Sequence, residues 1–197
     1  ATTDPYYISV DNALNRIRMG KSKEAIDLLR NGSYDKKNLP SVLWSVAATK
    51  PVSTEKVENS HRTDLSVTQH SGFFIIDFDK CDVTMKKQQL KGDPYIYAIW
   101  ISPSGNGIKA LVKVPPSIEA HDLYYTAFMD RYPELDSTSK NISRCTFESY
   151  DPDLWVNKDS LVWDKKLTQQ QRQSNKEKEA NRKGVKVIST AVGIVRA

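Results

Sequence analysis

The spacing of apolar and polar residues predicts helices at the start of the chain and a strand-rich middle. Residues 10–31 read as two short helices. Asp11 is placed to cap the first, Arg18-Met19-Gly20 interrupts it, and Ala25, Ile26, Leu28 and Leu29 recur at near-helical spacing within 22–30. A polar loop with Gly32 and Lys36-Lys37-Asn38 follows, and Leu39-Pro40 leads into a strand over 41–47. Residues 49–70 are rich in Thr, Ser, Glu and His with no period, which predicts a long loop or a weak hairpin; a loop of that length in a compact domain is often functional. From Gly72 the pattern sharpens into strand 72–78, helix 82–91, strand 94–101, a tight turn, strand 107–114 and helix 117–131, then short strands near 135 and over 145–149. Ser117 caps the last helix, Glu119 lies in its first turn, and Tyr132-Pro133 closes it. This β-α-β-β-α-β order gives an α+β fold of the split βαβ, RRM-like kind.

Composition narrows the class. A hydrophobic fraction of 39% over 197 residues supports one sizeable core or one domain with an appendage. No apolar run approaches a membrane span and the N-terminus lacks a signal-peptide pattern, so a cytoplasmic protein with no membrane partner is expected. Cys81 and Cys145 lack Cys-x-x-Cys spacing, which argues against structural zinc and a disulfide framework. The formal charge of +5 is unevenly spread: residues 165–186 hold eight Lys or Arg and two Glu, leaving the body slightly acidic. Such a tail suits phosphate-backbone contact without sequence preference, and equally a solvated helix or linker. Residues 168–183 read as a polar helix or tether, and 185–197 as the beginning of another element.

Three segments carry candidate chemistry. Phe73-Phe-Ile-Ile-Asp-Phe-Asp79 reads as a buried strand presenting Asp77 and Asp79 on one face, since side chains two apart project together, roughly 6–7 Å along the strand. Two acids so placed can share divalent metals, as phosphoryl transfer with two ions requires; the same pattern also describes a strand entering a solvated turn. In Ile101-Ser-Pro-Ser-Gly-Asn-Gly-Ile-Lys109, the residues Gly105, Asn106 and Gly107 allow positive φ, so backbone N–H groups could form an anion nest. On the strand that follows, Lys109 and Lys113 share a side, opposite Ile108, Ala110, Val112 and Val114. An ordinary Asn-Gly hairpin with solvated lysines has the same pattern. Asp136 offers a third carboxylate or a turn cap, and Arg144 a planar fork for phosphate or a surface ion pair. Asp151-Pro152 is a turn signal.

Together, Asp77-Phe-Asp79, Ser102-Pro-Ser-Gly-Asn-Gly-Ile-Lys109 and Asp136 followed by Arg144 resemble the three ordered motifs of the archaeo-eukaryotic primase superfamily. The likeness is to primase-polymerase-type N-terminal domains, including the VirE N-terminal type, of replication proteins from phages, plasmids and mobile elements. Lys37-Asn-Leu-Pro-Ser41, His70-Ser-Gly-Phe-Phe and Ser149-Tyr-Asp-Pro-Asp153 add to it, and it covers roughly residues 8–160. It implies a primase catalytic domain over 1–164, with an N-terminal α/β part over 1–70 and an RRM-like metal-binding part over 71–160. Residues 165–197 would be a basic linker leading to a helicase or an accessory helical domain.

By that resemblance Asp77, Asp79 and Asp136 would be catalytic and hold Mg²⁺ or Mn²⁺. Ser102, Ser104, Gly105, Asn106, Gly107, Lys109 and Arg144 would bind the incoming nucleoside triphosphate, which is joined to a primer on a single-stranded DNA template. The chain departs from the pattern at Lys109, where family members commonly have His; lysine keeps the positive donor and loses the planar imidazole. Two alternatives stand beside this expectation. One is a noncatalytic single-strand-binding module on the same fold, with Lys109 marking a decayed site, and the other is a metal-dependent nuclease. His61, His70 and His121 are scattered, with no His-x-His, which argues against a metal-and-two-histidine nicking enzyme.

Overall fold

The computed structural model describes residues 7–48 and 67–167, with Gln171 and Ser174. In chain order its elements are α1 (Val10–Arg18), α2 (Lys23–Arg30), a 3₁₀ turn (Lys36–Asn38), β1 (Ser41–Leu43), β2 (Val46–Ala48), β3 (Val67–His70), β4 (Phe73–Phe78), α3 (Val83–Lys91), β5 (Ile96–Ile101), β6 (Ile108–Lys113), α4 (His121–Phe128), a second 3₁₀ turn (Ser137–Lys140), β7 (Cys145–Phe147) and β8 (Trp155–Val156). The fold is mixed α+β. Its main sheet has the order β4-β6-β5-β8, and β1 with β7 and β2 with β3 form two small ribbons; every pairing is antiparallel. None of the helices among the described residues is long and apolar enough to cross a membrane.

Period-two alternation divides the main sheet into two buried faces. Phe74, Ile76 and Phe78 of β4, with Ile108, Ala110 and Val112 of β6, pack against Leu90 of α3 and Tyr124, Tyr125 and Phe128 of α4. Phe74 anchors this side, its ring centroid 5.3 Å from Tyr125 and 5.4 Å from Phe128. On the other face Ile75, Ala98, Trp100 and Leu111 meet Ala13, Leu14 and Ile17 of α1, together with Trp44. A sheet covered on both faces must be apolar on both. This is why β4, β5 and β6 read as continuous hydrophobic runs, and why a charge inside one of them stands out.

Several boundaries differ from those the sequence predicts. Ser9, not Asp11, caps α1, accepting the Asn12 N–H at 3.1 Å, while Asp11 accepts the Tyr97 hydroxyl at 3.0 Å. The single strand expected over 41–47 is two, because the chain bends at Trp44-Ser45 to bury Trp44 and to feed different partners: β1 joins β7, and β2 joins β3. Residues 67–70 therefore form a hairpin arm, the second of the two readings of 49–70, and 49–66 lie outside the described residues. Ser117 does accept the Ala120 N–H at 3.1 Å, but only a turn follows and α4 is shorter than 117–131. No strand forms near 135. The Asp136 carboxylate takes the Thr138 N–H at 2.9 Å, and that side-chain bond turns the backbone into 3₁₀ geometry rather than a ladder. The strand near 145 is real, but it pairs with β1 and not with the main sheet. Most of the expected tail over 165–197 lies outside the described residues.

Buried polar groups tie these layers together. Asp93, at the end of α3, accepts from Arg131 at 2.7 and 3.0 Å, from the Tyr132 hydroxyl at 2.8 Å and from the Tyr95 N–H at 3.0 Å. Glu148, just after β7, is held by Arg16 of α1 at 2.5 Å and by the Ser22 hydroxyl. His70 of β3 and His121 of α4, distant in sequence, meet with Nε2 and Nδ1 3.0 Å apart. Because the Gly72 N–H donates to His70 Nδ1 at 2.9 Å, the His70 proton sits on Nε2 and points to His121.

Burial holds the His70 imidazole below its ordinary pKa. A folded-state value below the unfolded one means that the unfolded chain binds more protons as pH falls. Stability from this contact is therefore full above about pH 6.5 and declines as pH drops through the folded value. The midpoint of urea unfolding is expected to fall between pH 7.5 and pH 5 in the wild-type chain and to be flatter over that window in His70→Asn; equal slopes would remove His70 as the cause.

Candidate active site

The main sheet sets the candidate site by its register. Asp77 on β4 stands directly across from Lys109 on β6, and Trp100 on β5 is the next residue in the same row. Asp77 and Lys109 are buried, and their carboxylate and ammonium form a direct ion pair. Burial pushes the Lys109 ammonium below its ordinary pKa, and the Asp77 charge opposes that shift. The second carboxylate oxygen of Asp77, Oδ1, is buried with no hydrogen-bond partner. Asp79 follows the end of the strand and is exposed. Lys80 then takes a left-handed φ of 51°, which turns the chain away from the sheet.

Asp77, Asp79 and Lys109 line one open cleft of about 560 Å³ together with Arg144, Lys36 and Thr138. Its remaining wall is Asn141, Ser143 and the β7 residues Cys145, Thr146 and Phe147. Asp136 lies beside it. The Tyr125 hydroxyl donates to the Asp136 carbonyl at 2.9 Å, fixing the start of the second 3₁₀ turn to α4. Its carboxylate accepts from the Thr138 N–H at 2.9 Å and the Thr138 hydroxyl at 2.5 Å, and stands 3.6 Å from the Arg144 guanidinium. Partial burial would raise the Asp136 pKa, but the bonds from Thr138 and the charges of Arg144 and Lys109 outweigh it and hold the carboxyl below its usual range. The turn cap and the ion pair that the sequence offered as mundane roles for Asp136 and Arg144 are both formed, and both are formed at the rim of this cleft. Among the described residues no three His, Cys, Asp or Glu side chains make a group that could hold a metal ion.

The hairpin between β5 and β6 behaves differently from the expected anion nest. Of its residues only Gly105 has positive φ, 81°, and its N–H is used internally, donating to the Ser102 carbonyl at 2.9 Å. Gly107 is needed for a separate reason: a Cβ there would lie 2.6 Å from the Phe78 carbonyl oxygen and 3.5 Å from the Asp79 Cα. Ser102 is buried and its hydroxyl has no partner, Ser104 and Asn106 are exposed, and none of the three lines the cleft. The hairpin is thus a buttress pressed against the Phe78-Asp79 backbone. Lys113 shares the Lys109 side of β6 as expected but does not line the cleft, donating instead to the Lys158 and Ser160 carbonyls at 2.7 and 3.2 Å.

Sequence reasoning missed the supports. Arg30 of α2 clamps the hairpin by donating to the Pro103 carbonyl at 3.2 Å and to the Tyr150 carbonyl at 3.0 Å. Asp151 is more than a turn residue: its carboxylate accepts the Ile101 N–H and the Lys87 ammonium, each at 3.0 Å, and Ser149 donates to the Ile101 carbonyl at 2.6 Å. Lys36 was legible only as part of a polar loop, since nothing local signals that β1 would carry its turn to the mouth of the cleft.

The buried ion pair makes a sharp prediction. Lys109→Met leaves the Asp77 carboxylate buried without its counter-charge and is expected to cost about 3–5 kcal/mol in chemical denaturation, whereas Lys109→Met with Asp77→Leu should recover most of that loss. Additive losses in the double variant would show that the two side chains are not coupled.

A family model described as BT4734-like, N-terminal domain, matches residues 36–155. The match takes in every charged residue that lines the cleft. No curated protein and no solved structure matches the chain. Since the matched span exceeds half of its length, the chain belongs to the BT4734-like N-terminal domain family.

Proposed function

We propose that the cleft is the site of a template-dependent nucleotidyltransferase of the primase-polymerase kind. The observation that carries this reading is that Asp77, Asp79, Lys109 and Arg144, drawn from three separated segments, line one cleft, with Asp136 paired to Arg144 at its rim. The fold supports it. Strands β4, β6 and β5 are adjacent in that order, with α3 and α4 on one face, as in the first five elements of a split βαβ domain. The RRM-like assignment belongs to the proposal, since the fourth strand of the sheet is β8 beside β5.

The residues suit a divalent cation. Asp77 Oδ1 is a buried acceptor without a partner, and exposed Asp79 is its neighbour in the cleft. Mg²⁺ is usually held by one or two carboxylates with substrate phosphates and water completing the shell, so these two acids are enough on the protein side. Asp136 would join them by exchanging its bonds to Thr138. When bound, such an ion would neutralise triphosphate charge and acidify the attacking hydroxyl. The chain's own share is positioning. Arg144 would present a planar fork to phosphate oxygens, and Lys109, across from Asp77, would add a point charge. The hairpin buttress and the Arg30 clamp would keep the Asp79 backbone in place while the ligand enters.

A second reading is favoured by one observation, the Asp77–Lys109 pair, which already neutralises an acid that the enzyme would require. On that reading the domain binds single-stranded nucleic acid through phosphate contacts and does no chemistry. The two readings separate in one experiment. The chain is incubated with a single-stranded template, primer, labelled nucleoside triphosphates and Mn²⁺, and products are resolved by length. Extension is expected, with Asp79→Asn reducing it on the order of 10²–10³-fold while leaving the circular dichroism unchanged. Salt-dependent strand binding with no extension and no Mn²⁺-dependent triphosphate binding would overturn the enzyme in favour of the binder. Shortening of the labelled strand would make it a nuclease.

A further inference from the structure

The charges along the cleft single out a residue that none of the sequence motifs contains. Five lining side chains are charged: Lys36, Asp77, Asp79, Lys109 and Arg144. Lys109 is matched by Asp77, and Arg144 by Asp136 at 3.6 Å. Among the described residues no ion pair engages Asp79 or Lys36. The cleft therefore presents one carboxylate and one ammonium that no direct ion pair engages, both close enough to Lys109 to feel its charge. A simple anion would meet Asp79, and a simple cation would meet Lys36. A divalent cation carried on a polyphosphate satisfies both.

Lys36 is also built into position. Asp35 caps the first 3₁₀ turn by accepting the Lys37 N–H at 2.9 Å, the Lys36 carbonyl accepts the Leu39 N–H at 3.1 Å, and Leu39 is buried. From that turn the Lys36 ammonium reaches 5.7 Å from the Phe147 ring centroid. An aromatic face holds a cation over it without using its N–H donors, so the three donors remain for oxygen ligands. Lys37, next in sequence, is exposed and is not part of the cleft.

We propose that Lys36 is a phosphate-binding residue of this cleft, and that the cleft recognises a polyphosphate as its divalent-cation complex, the cation against Asp79 and the phosphate against Lys36. This deepens the nucleotide-site reading and rests on it. It assigns the N-terminal part of the chain a share in substrate binding that the Asp77, Lys109 and Arg144 segments do not cover.

The test is calorimetric titration of the full chain with inorganic tripolyphosphate in the presence of Mn²⁺, which reads binding without catalysis. Lys36→Met is expected to weaken binding about tenfold or more, the loss of one charge-assisted contact, with Lys36→Arg retaining most of it. Lys37→Met removes the same charge one residue away and should stay within about twofold, as a screened surface charge does. Equal affinity of Lys36→Met and the wild type overturns the assignment, as does an equal loss in Lys37→Met. Failure of the wild-type chain to bind Mn²⁺-tripolyphosphate overturns the nucleotide-site reading itself, a result distinct from a selective failure of the Lys36 prediction.

Discussion

The rest of this structure is arranged around an ion pair set between the edge strand β4 and its neighbour β6. Both faces of β4 and β6 are covered, so a carboxylate at Asp77 would be untenable without compensation, and Lys109 directly across the ladder provides it. Neither residue lowers the energy of the fold relative to a well-packed apolar pair of similar size. Their presence is a cost, offset by the large aromatic cluster on the opposite face, where Phe74 packs on Tyr125 and Phe128, and Tyr132 on Phe128 and Phe78. A buried ion pair lining an open cleft, with the lysine's pKa pushed down by burial, is a pattern met at functional sites and in structural ion pairs alike.

Around that pair the polar contacts act at a distance to hold the cleft's shape. Glu148 joins the helices of the N-terminal part to the segment behind β7, Asp151 joins α3 to the end of β5, and Arg30 pins the hairpin from the far side. Glu148 and Asp151 are buried carboxylates and Arg30 an exposed guanidinium, each with more than one partner. Contacts of this kind are geometrically specific in a way that apolar packing is not. These hydrogen bonds tie the hairpin and the segments after β7 to the helices around the main sheet.

Much of the central architecture was legible in the sequence. The apolar run of β4 announced a buried strand, and period two put Lys109 and Lys113 on one side of β6; that this side is also the one carrying Asp77 comes from the strand register. The Asx-type side chains were harder to read. Asp136 could have opened a strand or capped a turn, and only the Thr138 contacts decide between them. Gly107 was read for its backbone freedom when its role is steric, because the Phe78 carbonyl lies too close to admit a Cβ. Lys36, His70 with His121, and Arg30 depend on pairings between distant segments. No local period encodes those pairings, so no reading of spacing along the chain could supply them.

The bend at Trp44-Ser45 carries a consequence for how the molecule comes into being. Because one short stretch feeds both ribbons, its first half must wait for a partner from the far end of the domain, with Ser41 set against Phe147, while its second half closes locally on His70. Contacts so separated along the chain form slowly and raise the entropic barrier to folding. During synthesis, β2 with β3 and the three strands β4, β5 and β6 are made before the wall contributed by β7 exists. The cleft's second wall is thus made after its first, and the pocket closes only once residues more than a hundred positions apart, Ser41 and Phe147, have met.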